Sequence, residues 1–275
     1  MLLCSFIFGE DPWLVLTDNQ ELTISGMAKF NNGYIVLHDN KAVAQPRISF
    51  INSNYQFTEI HWPNDQENNL PFDLEGLTNI PLYKNQFILM ESSGRCYRLL
   101  INPKNYIITL LSIFYLPMIT VDMNLEGIEL YEKDGDYTII YGDRGSNYRS
   151  STIFLGSYNE TNDDITKITS LIVSFPEIIN NKRNIADLSL DESDNLWGVA
   201  TSDPGDSGPF KTYLYIIGKL NSSEGFLIKE ETKSSFLFLG QKVEALMFSE
   251  DSLYMMTDNE RHGSTFLKKA ISDIR

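Results

Sequence analysis

The stretch DLEGLTNIPLYKNQFILMESS (73–93) contains the pattern that decides the fold. An apolar strand carries an acidic residue followed by glycine, a turn follows, and a second apolar strand ends in polar residues. Related segments begin at Ser25-Gly26, Glu126-Gly127, Asp187-Leu188 and Glu244-Ala245, so the five copies are separated by steps of 50, 51, 61 and 57 residues. Self-similarity at this period is typical of repeat architectures and predicts the fold before any motif is considered.

Each copy continues with further strand-like segments rich in β-branched and aromatic residues, separated by turns rich in Asn, Gly, Ser and Asp. The third strands are predicted at RISFIN (47–52), CYRLLIN (96–102), STIFLGSY (151–158), TYLYIIGKL (212–220) and STFLKKAI (264–271). A fourth apolar segment closes four of the copies. Four short strands per repeat indicate the blades of an all-β, five-bladed β-propeller, with a six-bladed ring as the alternative.

The fifth copy has no fourth strand, because the sequence ends at Arg275. The N-terminal segment WLVLTD (13–18) is an unassigned strand that precedes the first copy. A ring must either close or leave exposed strand edges. We therefore expect the N-terminal strand to complete the last blade, and residues 1–275 to form one propeller domain, most simply a monomer.

The charge of the chain restricts its partners. The formal net charge is −15 and the sequence pI is about 4.6. Such a surface repels phosphate backbones, which disfavours nucleic-acid binding, and it attracts basic proteins. The longest apolar run, residues 106–120, has 15 residues and contains Pro117, so it is too short to span a bilayer.

The N-terminus lacks a charged region followed by a long apolar stretch, which favours a cytoplasmic location. A periplasmic or lipidated form is the alternative, with Cys4 as the lipidated residue, if signal residues precede Met1 in a longer gene.

First strands line the central channel of a propeller, so the repeated acidic position predicts a ring of carboxylates at Glu75, Glu126, Asp187 and Glu244, with Ser25 in the fifth place. Converging carboxylates repel one another unless a cation or raised pKa values relieve the charge. Three interpretations follow: a bound Ca²⁺, a carboxylate pair that performs acid/base chemistry, or a structural role in which these residues accept hydrogen bonds from the neighbouring blade.

The ends of the second strands should meet on one face of the ring, and that face is a second candidate site. Loops on such a face commonly carry function. The predicted partner-binding residues are His38, Asp39, Glu91, Asp143, Arg144, Asp203, Asp258, Glu260 and His262. We predict no catalytic residues, since the chain has only three histidines and no GxSxG segment.

The segments DLEGLT (73–78), NLEGIEL (124–130) and VEALMFSEDSLYMMTDNE (243–260) resemble the blades of phytase-like and SdiA-regulated propellers. That resemblance covers most of the chain as a blade pattern. It implies a propeller with an acidic channel, bound calcium in some members, and hydrolase activity. Here Ala245 and Leu188 stand where the pattern has glycine, and no histidine of the chain is placed near the channel.

Two functions therefore remain open at this point. The first is a non-enzymatic propeller whose acidic face binds a basic protein partner, such as an inhibitor or a bacterial immunity protein that covers the basic active site of a toxin. The second is a Ca²⁺-dependent, phytase-like or lactonase-like hydrolase that acts at the central channel.

Overall fold

The computed structural model describes residues 12–63, 69–175, 178, 180–221, 225–228 and 234–274. The predicted Cys4 site lies outside these residues. Five antiparallel sheets follow one another along the chain and form the five blades of a β-propeller, as the repeat predicts. The six-bladed alternative is therefore wrong.

The first two blades have the simplest topology, because each is a four-stranded meander in chain order. Their strands are, in blade 1, β2 (Gly26–Phe30), β3 (Gly33–Leu37), β4 (Ile48–Ile51) and β5 (Phe57–Ile60), and in blade 2, β6 (Leu74–Asn79), β7 (Gln86–Glu91), β8 (Arg95–Ile101) and β9 (Ile108–Tyr115).

Blades 3 and 4 contain the longest strands. Blade 3 consists of β10 (Leu125–Lys133), β11 (Asp136–Asp143), β12 (Ser151–Asn159) and β13 (Asp164–Val173). Blade 4 consists of β14 (Lys182–Leu190), β15 (Asn195–Ser202), β16 (Lys211–Asn221), β17 (Gly225–Ile228) and β18 (Ser234–Leu239). Strands β17 and β18 both pair with β16, at its end and its start respectively, so two short strands share the outer position of this blade.

Blade 5 joins the two ends of the chain. Its strands are β19 (Val243–Ser249), β20 (Ser252–Thr257), β21 (Ser264–Ala270) and the N-terminal β1 (Leu14–Thr17). Strand β1 pairs with β21 in antiparallel register, with Leu14 opposite Phe266. The predicted closure of the ring is confirmed. Short 3-10 turns occur at Gln20–Leu22, Glu260–His262 and Ile271–Asp273.

The apolar core is divided among the junctions between blades. Among the described residues there are five buried clusters, one at each junction, and the cluster between blades 5 and 1 joins Met247 and Met256 to Met27 and Val36. Every blade therefore depends on two neighbours for burial of its side chains. Within the described residues there is no helix long and apolar enough to cross a membrane.

Deletion of residues 1–20 tests the closure of the ring. The deletion removes β1 together with Trp13, which packs edge-on against Phe238, and Leu16, which packs on the cluster between blades 5 and 1. Loss of two such side chains costs about 5 kcal/mol or more, comparable with the whole stability of a domain. We expect the folded signal in circular dichroism and the cooperative melt to disappear.

Deletion of residues 1–11 alone is the matched control, because it leaves β1 intact and should retain a cooperative melt. A cooperative melt of the 1–20 deletion at the temperature of the full chain would contradict the closure.

Candidate ligand-binding site at the channel mouth

The acidic residues of three first strands lie at β-bulges near the end of the channel where these strands begin, called here the channel mouth. In blade 2, Leu74 pairs with Glu91 and the next regular pair is Gly76 with Met90, so Glu75 has no partner across the strand. The same register shift occurs at Glu126 and at Glu244. Since a bulge re-aims its extra side chain, the three carboxylates share one placement at the mouth.

Asp187 does not belong to this set, and the sequence alignment of the fourth copy requires a correction. After the register shift in blade 4, the first regular pair is Asp187 with Val199, which corresponds to Gly127 with Gly142 in blade 3. Asp187 therefore occupies the glycine position, and Ala186 occupies the position of the glutamates. The bulge in blade 4 extends over three residues between Arg183 and Asp187, which hid this offset in the sequence.

The glycine position faces the first strand of the next blade at close range. A Cβ atom on Gly127 would lie 2.8 Å from the backbone nitrogen of Leu188 in blade 4. At Asp187 the carboxylate uses this proximity, because its Oδ2 accepts a 2.6 Å hydrogen bond from the backbone N–H of Leu246 in blade 5, and its Oδ1 accepts one from Leu188. Burial raises the pKa of Asp187 well above its ordinary value.

Both oxygens of Asp187 thus accept hydrogen bonds within the protein, so Asp187 is a structural link between blades 4 and 5. Ser25 has a comparable role, since its hydroxyl donates a 2.6 Å hydrogen bond to the carbonyl of Leu74 in blade 2. The structural interpretation of the channel residues holds at these two positions.

Two basic residues that the sequence analysis did not single out neutralise one side of the mouth. The ammonium of Lys242 lies 3.1 Å from Glu244, 3.0 Å from Asp258 and 2.5 Å from Glu260. The guanidinium of Arg183 contacts Glu244 at 3.1 Å and Asp203 at 2.9 Å. The sequence shows both basic residues shortly before an acidic residue: Lys242 precedes Glu244 in KVE (242–244), and Arg183 precedes Asp187 in RNIAD (183–187).

The pKa shifts in this network follow from burial and from ion pairing. Burial would lower the pKa of Lys242, but Glu244 and Asp258 raise it above its ordinary value. Burial would raise the pKa of Asp258, but Lys242 lowers it. Glu244 differs, because burial raises its pKa more than Lys242 and Arg183 lower it. Lys242 and Asp258 therefore form the central ion pair of the network.

Glu126 connects this network to blade 3. Its Oε1 accepts a 2.8 Å hydrogen bond from Arg144 and lies 3.8 Å from Arg183. Its Oε2 is buried and has no hydrogen-bond partner among the described residues.

The other side of the mouth holds three carboxylates with much less compensation, called here the acidic cluster: Asp39, Asp73 and Glu75. Oxygens of the three lie within 4.8 Å of one another. Lys41 pairs with Asp73 at 2.9 Å. Glu75 is 7% exposed, and the described residues provide it with no hydrogen bond or ion pair. Burial raises its pKa well above the ordinary value, and the charges of Glu126 and Glu244 raise it further.

Asp39 shows the same imbalance. Burial, and then the charge of Asp258, raise its pKa to about 6. Among the four residues predicted as metal ligands, only Glu75 belongs to the acidic cluster; Glu126 and Glu244 are paired with basic side chains.

Four of the predicted partner-binding residues are buried, which corrects their assignment to an exposed surface. His38, Glu91, Asp143 and Asp258 are at most 6% exposed. The reason is a shared structural role for three of them, which fasten the segment that enters the first strand. Glu91 accepts from the backbone N–H of Phe72 at 2.9 Å, and Asp143 accepts from that of Asn124 at 3.0 Å.

His38 fastens the same segment in blade 1. Its Nδ1 donates to the carbonyl of Thr23 at 2.7 Å, and its Nε2 accepts from the hydroxyl of Ser49 at 2.9 Å. These bonds fit a neutral ring, and burial lowers the pKa of His38 to about 4, which keeps the ring neutral near pH 7.

The remaining predicted residues of the face are accessible. His262 is exposed, and Asp39, Arg144 and Glu260 are partly exposed around the mouth, whereas the side chain of Asp203 is 7% exposed. Their role in binding a partner stays a prediction.

The opposite half of the channel is a cavity of about 300 Å³. All five first strands line it, with residues such as Leu77, Leu188 and Phe248. Glu129 lies there and was not foreseen. It accepts from Thr78 of blade 2 at 2.9 Å and from the backbone N–H of Leu190 in blade 4 at 3.2 Å. Burial raises the pKa of Glu129, and its bonds connect three blades.

Comparison with known proteins shows the fold alone. No family model and no curated protein matches the chain. An α-L-arabinofuranosidase from Clostridium thermocellum ATCC 27405 has 12% identity and a TM-score of 0.53, with 85% of this chain and 81% of that chain covered. The β-1,2-mannobiose phosphorylase from Listeria innocua has 10% identity and a TM-score of 0.52, with 98% and 93% covered.

A candidate 6-phosphogluconolactonase from Bacteroides uniformis ATCC 8492 has 11% identity and a TM-score of 0.44. The match covers 83% of this chain, which spans 62% of the length of that protein. The propeller fold agrees with the resemblance to phytase-like and SdiA-regulated propellers, but no family model supports membership of either family.

The neutral state of His38 predicts a specific pH dependence. Its folded-state pKa of about 4 lies below the ordinary value of 6.5, so its contribution to stability is present above pH 6.5 and is lost as the pH falls towards 4. Between pH 7 and pH 5 the loss amounts to about 2 kcal/mol. Denaturant unfolding should therefore show that His38→Gln costs about 2 kcal/mol less at pH 5 than at pH 7.

The exposed His262 provides the matched control, because His262→Gln should have the same small effect at both pH values. A cost of His38→Gln that does not change with pH would rule out a buried neutral His38.

Proposed function

We propose that this propeller is a non-enzymatic binding protein that takes a basic protein partner on the face around the channel mouth. One observation carries the proposal: among the described residues the mouth gathers more carboxylates than cations, and none of these residues gives the buried Glu75 a hydrogen bond or an ion pair. The carboxylates are Asp39, Asp73, Glu75, Glu126, Asp203, Glu244, Asp258 and Glu260, and the cations are Lys41, Arg144, Arg183 and Lys242.

The physical argument is one of charge compensation. A buried carboxylate without a counter-charge is costly, and a cation supplied by a partner relieves that cost. The net charge of −15 adds long-range attraction, which increases the association rate of a basic partner at low salt. The binding face would then supply both the fast encounter and the specific contact.

An inhibitor is the form of binder that this charge pattern suits best. Enzymes that act on nucleic acids present a basic cleft, and an acidic face of matching size would cover it. A bacterial immunity protein that neutralises such a toxin is one instance. In that role a monomeric ring would act by occupying the active site of its partner.

The proposal is tested by capture of proteins from a lysate of the native host on the immobilised full chain. We expect a basic protein to be retained at low salt and released by about 0.5 M salt, because screening weakens charge attraction at that ionic strength. The double variant Asp39→Lys/Glu260→Lys should reduce retention of that protein at least tenfold.

Asp134→Lys/Asp136→Lys is the matched control, since it changes the charge equally at an exposed turn between β10 and β11. Equal loss of retention in both double variants would reduce the interaction to non-specific charge attraction and overturn the proposal.

The geometry of the acidic cluster favours one alternative, a Ca²⁺-dependent hydrolase of the phytase-like or lactonase-like kind. Asp39, Asp73 and Glu75 bring carboxylate oxygens within 4.8 Å of one another, and Ca²⁺ prefers oxygen ligands. The ammonium of Lys41, 2.9 Å from Asp73, opposes a divalent cation at this place.

Thermal unfolding separates the two functions when it is measured once with about 5 mM Ca²⁺ and once with about 5 mM EDTA, each in large excess over the protein. For the binder we expect melting temperatures that agree within about 1 °C in the two conditions. A stabilisation by Ca²⁺ of several degrees that is absent in Glu75→Gln would instead favour the hydrolase, and activity should then also be lost in Glu126→Gln.

A further inference from the structure

The acidic cluster lies beside an exposed aromatic ring. Phe72 is 53% exposed and directly precedes Asp73 in the segment that enters β6. The hydrogen bond from its backbone N–H to the buried Glu91 fixes this segment. Carboxylates and an accessible aromatic face are therefore held next to each other on a fastened piece of backbone.

A cation of the protein itself already occupies this place. Lys41, on the loop between β3 and β4 of blade 1, lies 2.9 Å from the carboxylate of Asp73 and 5.9 Å from the centre of the Phe72 ring. Its side chain is 55% exposed, which contrasts with 2% for Lys242. Lys41 therefore holds its position by one ion pair and a weak ring contact, and water can replace both.

The place around Lys41 remains under-compensated even with this lysine present. Glu75 is 7% exposed and makes no hydrogen bond or ion pair with any described residue, although its carboxylate lies within 4.8 Å of those of Asp39 and Asp73. Such acceptors call for a donor that brings several N–H groups and a positive charge.

The chemistry of these groups distinguishes an organic cation from a metal ion. A hard metal ion gains nothing from an aromatic ring, whereas a guanidinium or ammonium is attracted to the ring face and donates to carboxylates at the same time. A guanidinium offers five donors in a planar fork, which suits two carboxylates on one side and a ring on the other.

We propose that Asp39, Asp73, Glu75 and Phe72 form a recognition site for the guanidinium or ammonium group of a single Arg or Lys side chain of the partner, and that this side chain displaces Lys41. The site rests on the proposed binding function and specifies its central contact. Lys41 acts as an internal competitor, so the free protein keeps the cluster partly neutralised. A partner side chain gains the contacts to Glu75 that Lys41 does not make.

The test uses N-acetyl-L-arginine amide as the probe and N-acetyl-L-citrulline amide as its neutral counterpart of the same shape. Binding to the full chain is followed by NMR titration of Phe72 ring resonances at low ionic strength. We expect saturable binding of the arginine probe and none of the citrulline probe. Equal binding of both would overturn the site, because the site requires a cation.

Two substitutions should change the affinity in opposite directions. Lys41→Met removes the competitor and should strengthen binding of the arginine probe about tenfold, while Glu75→Gln should weaken it about tenfold or more. The matched controls are Lys84→Met and Glu192→Gln, which alter exposed residues outside the channel mouth and should leave the affinity within about twofold.

Opposite signs separate the site from a general effect of net charge or of stability. Unchanged or weaker binding by Lys41→Met, compared with Lys84→Met, would overturn displacement. If the immobilised chain retains a basic protein that both Glu75→Gln and Lys41→Met bind like the unmodified chain, the binding function stands and this site is wrong.

Discussion

The close approach of neighbouring first strands around the channel is the constraint on which the rest of the structure depends. A Cβ atom at Gly127 would come within 2.8 Å of the next strand, and Asp187, at the corresponding place, bonds directly to Leu246 across the junction. Because the strands converge so tightly, each blade must bury its side chains against both neighbours. Closure by β1 matters for this reason: without β1, strand β21 would lack both the backbone hydrogen bonds of its neighbouring strand and the packing of the β1 side chains.

The same convergence creates the charge problem at the mouth. Bulges aim Glu75, Glu126 and Glu244 into a narrow space, where burial and the neighbouring carboxylates raise the pKa values of Glu75 and Glu244. On one side of the mouth, Lys242 and Arg183 compensate this negative charge, because both form ion pairs with Glu244. No described cation takes an equivalent position beside Glu75, since Lys41 reaches only Asp73. The asymmetry between the two sides makes the acidic cluster the part of the ring where an outside group would be stabilised most.

The repeat predicted five blades, with six as the alternative, four strands per blade and the closing strand, because period, apolar pattern and spare strand are local properties of the sequence. The additional strand β17 of blade 4 was not predicted. The repeat was insufficient at Asp187, where a wider bulge shifts the register by one residue and turns an apparent channel acid into a link between blades. It also failed for His38, Glu91 and Asp143. Polar residues at strand ends suit an exposed face and a buried fastening equally well, and only the three-dimensional path of the segment before each first strand decides between them. Lys242 and Arg183 were visible as residues, but their pairing across blades is non-local.

Two kinds of buried carboxylate therefore coexist in one channel, and their partners separate them. Asp187 and Glu129 are satisfied by hydrogen bonds that cross blade junctions, so their burial strengthens the ring. Glu75 receives no such bond from the described residues. It lies beside the half-exposed aromatic ring of Phe72 and beside Lys41, which is held by a single ion pair. A carboxylate that only stabilised the propeller would be expected to resemble Asp187, whose carboxylate accepts a hydrogen bond across a blade junction. A buried glutamate at the accessible end of the channel that no described residue compensates costs stability, and that cost is physically reasonable where the counter-charge arrives with a partner.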